Sequence, residues 1–326
     1  MADMTPPAAA AAFLAAHGWA GAAVTPLAGD ASFRRYFRVT DASRRAVLMD
    51  APPPHEDPRP FLVVAAWLAE RGFAAPAILA ADREAGFVLL EDFGDARMKE
   101  AIEADPESAT TLYTRAMATL IELRRHPAAP VPPYDAAVLH READLFVDWY
   151  CPAVGLAVDR PGWTAAWAAV IGHVLAATPV TVLRDFHAEN LMVTSPTGPL
   201  GLLDFQDALA GHPAYDLVSL LQDARRDVDA ELEAAMLADY RAGTGEGDAF
   251  LAAYHVLGAQ RNAKILGIFT RLWRRDGKPR YPALCPRVWA YLERDLSQPV
   301  LAPVATWFDA NVPPERRGDP LLLSSG

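Results

Sequence analysis

The sequence predicts an α+β chain of two lobes, a small antiparallel β lobe (residues 1–93) followed by a larger, mainly helical lobe (94–326). Three observations predict it. Residues 22 to 91 read as short strands with one helix inserted, and from Met98 onward helical periodicity dominates. Between the later helices, Thr181 to Asp207 (TVLRDFHAENLMVTSPTGPLGLLDFQD) forms a strand-rich island with polar residues at the strand ends. A length of 326 residues at 52% hydrophobic content is enough to bury the core of two lobes.

The Ala-rich start carries Asp3, has no Lys or Arg before Arg34 and meets a helix stop at Gly18, so it reads as a short packing helix and not as an export signal. Phe33, Arg35, Phe37 and Val39 alternate with Arg34, Tyr36 and Arg38, a period-two strand that turns at Asp41-Ala42-Ser43 into Ala46 to Asp50. Pro52 to Pro54 stop that strand. Phe61 to Glu70 has helical spacing with Gly72 as its C-terminal cap, and Ile78 to Ala81 pairs with Phe87 to Glu91 across the turn Asp82 to Gly86. Helices follow at Pro106 to Arg125, Asp135 to Tyr150 and Pro161 to Thr178, with the Pro-rich PAAPVPPYD as a rigid connection. After the island, Asp207 to Pro213 reads as a loop, then a helix begins near Asp216 and another spans Asp248 to Trp273. No apolar run reaches the roughly 18 to 20 residues of a membrane span.

A net charge of −11 disfavours non-specific binding to nucleic acid or to a membrane surface, so phosphates must be met by a local cluster of bases and by metal. Two cysteines, Cys151 and Cys285, are too few for a disulfide framework and lack metal-ligand spacing, which fits a reducing cytoplasm. Most of the eight histidines read as surface or satisfied core groups, with the roles of His187 and His212 left open.

The island suits phosphoryl transfer. Asp185 follows one apolar run and Asp204 another, with Asn190 between them at the start of a third. One carboxylate, Asp185, can accept the proton of an attacking hydroxyl, while Asn190 and Asp204 offer hard oxygen ligands to Mg²⁺ on a nucleotide. The spacing of Asp185 and Asn190 alone means little; the strands around both residues, and a second Asp-Phe one hairpin later, carry the weight.

These residues resemble the catalytic and metal-binding segments of protein-kinase-like enzymes, and more closely those of the aminoglycoside phosphotransferase family of small-molecule kinases. The resemblance implies a two-lobed kinase-like fold, ATP and Mg²⁺ as cofactors, Asp185 as base, and Asn190 with Asp204 as metal ligands. Gln206 in place of the usual glycine argues against an in/out switch of the Asp204-Phe205-Gln206 segment. Gly29 to Arg34 stands where kinases place a phosphate loop, which implies nucleotide contacts at Ser32, Phe33 and Arg34, although an ordinary hairpin turn would look the same. Met49 stands where a phosphate-contacting lysine is expected. Arg35 is the first candidate to replace that lysine and Arg34 the second, with a solvated edge-strand role equally open for each. Glu91, Asp92 and Phe93 resemble the hinge against which adenine lies. Asp216 either caps its own helix or braces the catalytic loop. Arg261 and Lys264, three apart and on one helix face, form either a solvated stripe or part of an acceptor pocket.

From Gly29 to Tyr281 the segments GDASFRRYFRV, VLMDAPPPHEDPRPF, VLLEDFGD, LLDFQDALAGHPAYDLVSLLQDARRDV and AQRNAKILGIFTRLWRRDGKPRY are similar to the anomeric sugar kinases of cell-wall recycling. Those enzymes phosphorylate N-acetylmuramate and N-acetylglucosamine at C1, and they share the lysine-free VLMDAPP segment. The likeness implies a cytoplasmic sugar kinase of peptidoglycan recycling, a monomer or weak oligomer with no nucleic-acid or membrane partner, with Asp207, Arg261 and Lys264 contacting the sugar. Two alternatives stand beside it: the same fold acting on another hydroxyl (an aminoglycoside, choline or homoserine), and a nucleotide-binding pseudokinase scaffold.

Overall fold

The computed structural model describes residues 5–27 and 34–324. The expected phosphate loop, with Ser32 and Phe33, lies outside the described residues. The chain divides into two compact units. The first draws on the described residues of Met1–Thr119, Ala129–Val131 and Ala188–Ala208, and the second on those of Leu120–Ala128, Pro132–His187 and Leu209–Gly326.

The first unit begins with helix α1 (Ala10–Ala16) and a five-stranded antiparallel sheet of β1 (Ala23–Pro26), β2 (Arg35–Thr40), β3 (Arg45–Asp50), β4 (Ile78–Asp82) and β5 (Phe87–Glu91), in the order β1-β2-β3-β5-β4. Alternation sorts its side chains onto two faces. Phe37, Val39, Ala46, Leu48, Phe87 and Leu89 point to the face covered by Phe13 and Leu14 of α1. The opposite face carries Tyr36, Met49 and Val88, which are register partners across β2, β3 and β5. Helix α2 (Arg59–Glu70) starts at a proline and ends before Gly72, whose φ of 79° suits glycine. The β4–β5 turn is closed by Asp82 Oδ1, which accepts from the N–H of Glu84 and Ala85. Gly86 follows with φ 79°, where an added Cβ would lie 2.0 Å from the Ala51 carbonyl oxygen. This unit also holds α3 (Met98–Ala104) and the hairpin of β7 (Leu191–Met192) with β8 (Gly201–Leu202).

The second unit is mainly helical. The helix expected at 106–125 is a short 3-10 turn followed by α4 (Ala109–Leu123), which crosses from the first unit, and the helix expected at 135–150 is α5 (Ala136–Leu145) continued by a π turn, Phe146–Tyr150. Then come α6 (Cys151–Ala153), α7 (Arg160–Leu175), β6 (Val180–Val182), β9 (Leu209–Gly211), α8 (Ala214–Leu221), α9 (Ala230–Thr244), α10 (Asp248–Arg274), α11 (Cys285–Leu296) and α12 (Ala302–Asn311). Strand β9 replaces part of the loop expected after Asp207. It pairs antiparallel with β6, and Ala210 also exchanges backbone hydrogen bonds with Pro132 and Tyr134 of the Pro-rich connection. Those partners are remote in sequence, so local composition does not disclose them. No helix of the described residues is long and apolar enough to cross a membrane.

Helix α10 crosses the end of α5 closely enough that a Cβ at Gly267 would lie 2.3 Å from the Leu145 carbonyl oxygen. Alanine favours helix by about 1 kcal/mol over glycine, but backbone cannot yield as a side-chain tip can. We therefore expect Gly267→Ala to lower the free energy of unfolding in urea by about 1 to 3 kcal/mol; a gain in stability would show that the two backbones part easily at this crossing.

Candidate active site

In the first unit, Asp204 leaves β8 with φ 58° and Leu203 N–H donates to the Asn190 carbonyl at 3.0 Å, so the β7–β8 hairpin sets both residues side by side. Arg184 and Asp204 are the two non-glycine residues with positive φ among those described. Such backbone costs roughly 1 to 3 kcal/mol and persists where surrounding contacts enforce it, as at functional sites. Asn190 Nδ2 lies 3.4 Å from Asp204 Oδ2. A half-turn of that amide exchanges nitrogen for oxygen, and two oxygens at about 3 Å are what neighbouring ligands of a small hard cation require. The donor set fits Mg²⁺. Gln206 Nε2 donates to Asp204 Oδ1 at 2.7 Å, and Phe205 stacks on Phe61 of α2 at 4.9 Å between centroids, so the segment is held on both sides of the backbone.

The same unit settles the geometry of the two arginines. Arg35 lies on the α1 face, where it pairs with Asp50 at 2.6 Å and donates to the Thr5 carbonyl. Arg34 approaches Glu56 at 3.4 Å and Asp207 at 3.8 Å, beside a recess of about 250 Å³ that Gln206 also lines. Tyr36 shares that surrounding. Burial pushes its phenol up to about 12, Arg34 opposes the shift, and Asp204, Glu56 and Asp207 add to it. Met49, the register partner of Tyr36, is fully buried. Glu91 accepts from the Ala77 N–H through Oε2, and the Asp92 carboxylate binds Arg38 at 2.8 Å and accepts from Gly94 N–H. The Phe93 ring abuts Gly201, where a Cβ would come within 2.8 Å of it. The side chains of the expected hinge therefore hold the unit's own structure.

In the second unit, β6 ends at Val182 and the chain turns through Arg184 at φ 71°. Asp216, in the first turn of α8, does not cap its own helix. Its two oxygens accept from Leu183 N–H at 2.6 Å and Arg184 N–H at 2.8 Å, and the Arg184 carbonyl accepts from Ser219 Oγ at 3.1 Å. Around this turn lies a cluster that the sequence did not reveal. Glu142 of α5 meets the Arg184 guanidinium, the Tyr134 hydroxyl and the Lys264 ammonium, the last at 2.9 Å. Burial alone would raise the Glu142 carboxyl, but Lys264, Arg184 and the Tyr134 hydrogen bond hold it below the ordinary carboxylate range. Arg261 and Lys264 are only 4% and 9% exposed, which overturns the solvated stripe. Arg261 Nη2 donates to Ser219 Oγ at 2.8 Å and Lys264 to Tyr215 Oη at 3.2 Å.

Asp185 sits half-buried after this clamp. Burial disfavours its charge, yet His187, Lys264, Arg261 and Arg184 outweigh it and hold the carboxyl below its usual value. The permanent charges on Lys264, Arg261 and Arg184 do this at neutral pH, because burial pushes His187 itself down to about 4 and leaves it neutral. His212 is likewise pushed down to about 4 by burial, and its Nδ1 accepts from Ala214 N–H at 3.1 Å at the start of α8. Thus Asn190, Asp204, Asp207 and Arg34 gather in the first unit, and Asp185, Asp216, Arg261 and Lys264 in the second.

A small antiparallel sheet, a mainly helical unit, hard-oxygen donors on a hairpin and a carboxylate kept ionised by buried cations are the parts of a kinase-like phosphotransferase. Residues 23–254 match the phosphotransferase enzyme family, and the chain belongs to it. It is 39% identical to the N-acetylmuramate/N-acetylglucosamine kinase of Caulobacter vibrioides, over 95% of this chain and 98% of that one. With the protein of the same name from Pseudomonas aeruginosa it shares 41% identity, over 85% and 86% of the two chains. Its fold resembles a choline/ethanolamine kinase family protein from Mesorhizobium loti, with a TM-score of 0.63 at 18% identity, covering 91% of this chain and 96% of that one.

Replacing Glu142 by Gln leaves the buried Lys264 and the half-buried Arg184 without their shared anion, and breaking a buried pair such as Glu142 with Lys264 costs about 3 to 5 kcal/mol. Urea unfolding of Glu142→Gln checks this, and a loss under about 1 kcal/mol would contradict the cluster's role. Asp216 supplies a pH signature. Burial, only partly offset by its backbone hydrogen bonds, raises its carboxyl from 3.8 to about 7. The folded state then binds the extra proton between about pH 4 and 7, so the group's contribution to stability is present at pH 4 and declines as pH rises to 7. Relative to Asp216→Asn, the wild-type protein should lose about 4 kcal/mol across that window; parallel stability–pH curves for the two proteins would count against it.

Proposed function

We propose that this chain is an ATP-dependent kinase that phosphorylates the anomeric C1 hydroxyl of N-acetylmuramate, N-acetylglucosamine or both, acting in the cytoplasm in peptidoglycan recycling. The observation that carries the reading is identity of 39% to a kinase of that name over nearly the whole of both chains. In this reading residues 1–93 bind nucleotide and 94–326 carry catalysis and acceptor binding.

Asp185 orients the C1 hydroxyl and takes its proton late, since a loose transition state asks for positioning more than for deprotonation. An anomeric hydroxyl is more acidic than an ordinary alcohol, so a carboxylate held below its usual pKa remains an adequate base. Asn190 and Asp204 would hold Mg²⁺, which when bound neutralises phosphate charge and orients the transferred group. Arg34, on the Asp204 face of the sheet, takes the place of the missing lysine; Arg35 is committed to Asp50 on the other face. The backbone at Glu91 to Phe93 and the Ser32-Phe33 segment complete the nucleotide contacts, and Asp207 meets the sugar. We assign Lys264 and Arg261 to keeping Asp185 ionised, because Lys264 already faces Glu142 and Arg261 is tied to Ser219.

Phosphoryl transfer from Mg·ATP to each sugar, with the product position read by phosphorus NMR, tests the reading. Asp185→Asn should lower kcat by about 100- to 10,000-fold, and because the Asp185 carboxyl lies below its ordinary value, wild-type activity should show no acid limb from this group above about pH 4. Product at another hydroxyl, or equal turnover by the variant, would refute it.

A further inference from the structure

The first unit carries a polar side chain near Asp204 that the roles above leave unused. Tyr36 lies on the sheet face turned away from α1, in one row with its register partner Met49 on β3 and, beyond that, Val88 on β5. Met49 and Val88 are apolar and fully buried, so the half-buried Tyr36 holds the only hydroxyl, amine or carboxylate of the row. That hydroxyl has no hydrogen-bond partner among the described residues. A phenol withdrawn from water without a partner is a hydrogen bond left unmade, and an arriving ligand can make it.

The surroundings indicate what that ligand is. Burial pushes the phenol up to about 12, Arg34 opposes the shift, and the carboxylates of Asp204, Glu56 and Asp207 add to it. Tyr36 therefore keeps its proton at neutral pH and is available as an uncharged O–H donor. Asp204 is one of the two neighbouring donors whose geometry fits Mg²⁺. A protonated hydroxyl facing a metal site and an arginine is matched by an oxyanion that enters with the metal, and hydrogen bonds from a neutral donor to a charged acceptor are among the stronger ones.

The register supports the same ligand. Met49 can donate nothing to a phosphate. Residues directly opposed on antiparallel strands place their side chains on one face with Cβ atoms about 4.5 to 5.5 Å apart, and a phenol reaches about as far as a lysine side chain. Tyr36 can thus deliver a donor into the space above Met49 from the neighbouring strand. It supplies direction without charge, whereas Arg34, close to Asp207 and Glu56, supplies charge.

We propose that Tyr36 is a nucleotide-binding residue whose hydroxyl donates to the metal-bridged phosphates of bound ATP. This rests on the kinase reading above and on Asp204 as a metal donor. The contact adds to nucleotide affinity through the phosphates beyond the first, and not through the base or ribose.

The test is the Kd of Mg·ATP and of AMP, measured by calorimetry for wild type and Tyr36→Phe, with urea unfolding of both proteins alongside. The variant removes one oxygen that has no partner in the folded protein, so its stability should match wild type. Its Kd for Mg·ATP should rise about 10-fold, while its Kd for AMP stays within about twofold; where AMP binds too weakly to measure, the change for Mg·ATP decides alone. A Kd for Mg·ATP that moves less than about twofold overturns the proposal and leaves Tyr36 as a packing residue. An equal loss for both nucleotides also overturns it, because the contact would then lie on the part they share. A wild type that binds no Mg·ATP refutes the kinase reading and this inference with it, an outcome distinct from a wild type that binds and a variant that binds as well.

Discussion

Two backbone N–H groups, those of Leu183 and Arg184, end on one buried carboxylate, Asp216, and the second unit's candidate chemistry depends on that contact. A strand that stops inside a protein leaves polar backbone to be satisfied. Here a helix-borne side chain satisfies it and, in doing so, sets the direction in which the chain carries Asp185. The left-handed backbone at Arg184 persists because four partners hold the residue: Asp216 on its N–H, Ser219 on its carbonyl, Glu142 on its guanidinium and the Tyr134 ring at 5.8 Å. Strain at such a position is tolerated only where neighbours determine it so fully.

The charges of the second unit follow from the same turn. A chain of net charge −11 buries Arg261 and Lys264 and half-buries Arg184 near Asp185, and the arrangement is stable because Glu142 neutralises part of it. Their field keeps Asp185 ionised against its own burial. The first unit answers with a different device. Its sheet alternation puts an apolar face against α1 and turns Tyr36 toward Arg34, Asp204 and Asp207, so it is Arg34, just before β2, that shares the side of those two carboxylates.

Much of this was legible in the chain. Period-two alternation marked β2 and β3, the Asp82 to Gly86 turn marked the β4–β5 pair, and apolar runs ending in Asp marked where Asp185 and Asp204 lie. Strand β9 was not legible, because its pairing partners lie about thirty and eighty residues away and its own sequence, Leu-Ala-Gly, has little strand propensity. Glu142 gave no signal either: on α5 it reads as one more surface glutamate, and only packing shows that it faces two cations. Arg34 and Arg35 show the limit of alternation. Periodicity says that they point opposite ways, but not which face of the sheet carries the helix and which the charges.

By itself the sequence determined the element types, the chemical identity of the reactive groups and their order, because these follow from local periodicity and from the residues themselves. The tertiary structure alone decided which arginine stands near Asp204, that Asp216 serves a distant strand end instead of its own helix, and that Arg261 and Lys264 are interior charges and not a solvated stripe. Each of those depends on burial and on partners far apart in the chain, and neither spacing nor composition records what a side chain meets once the chain has folded.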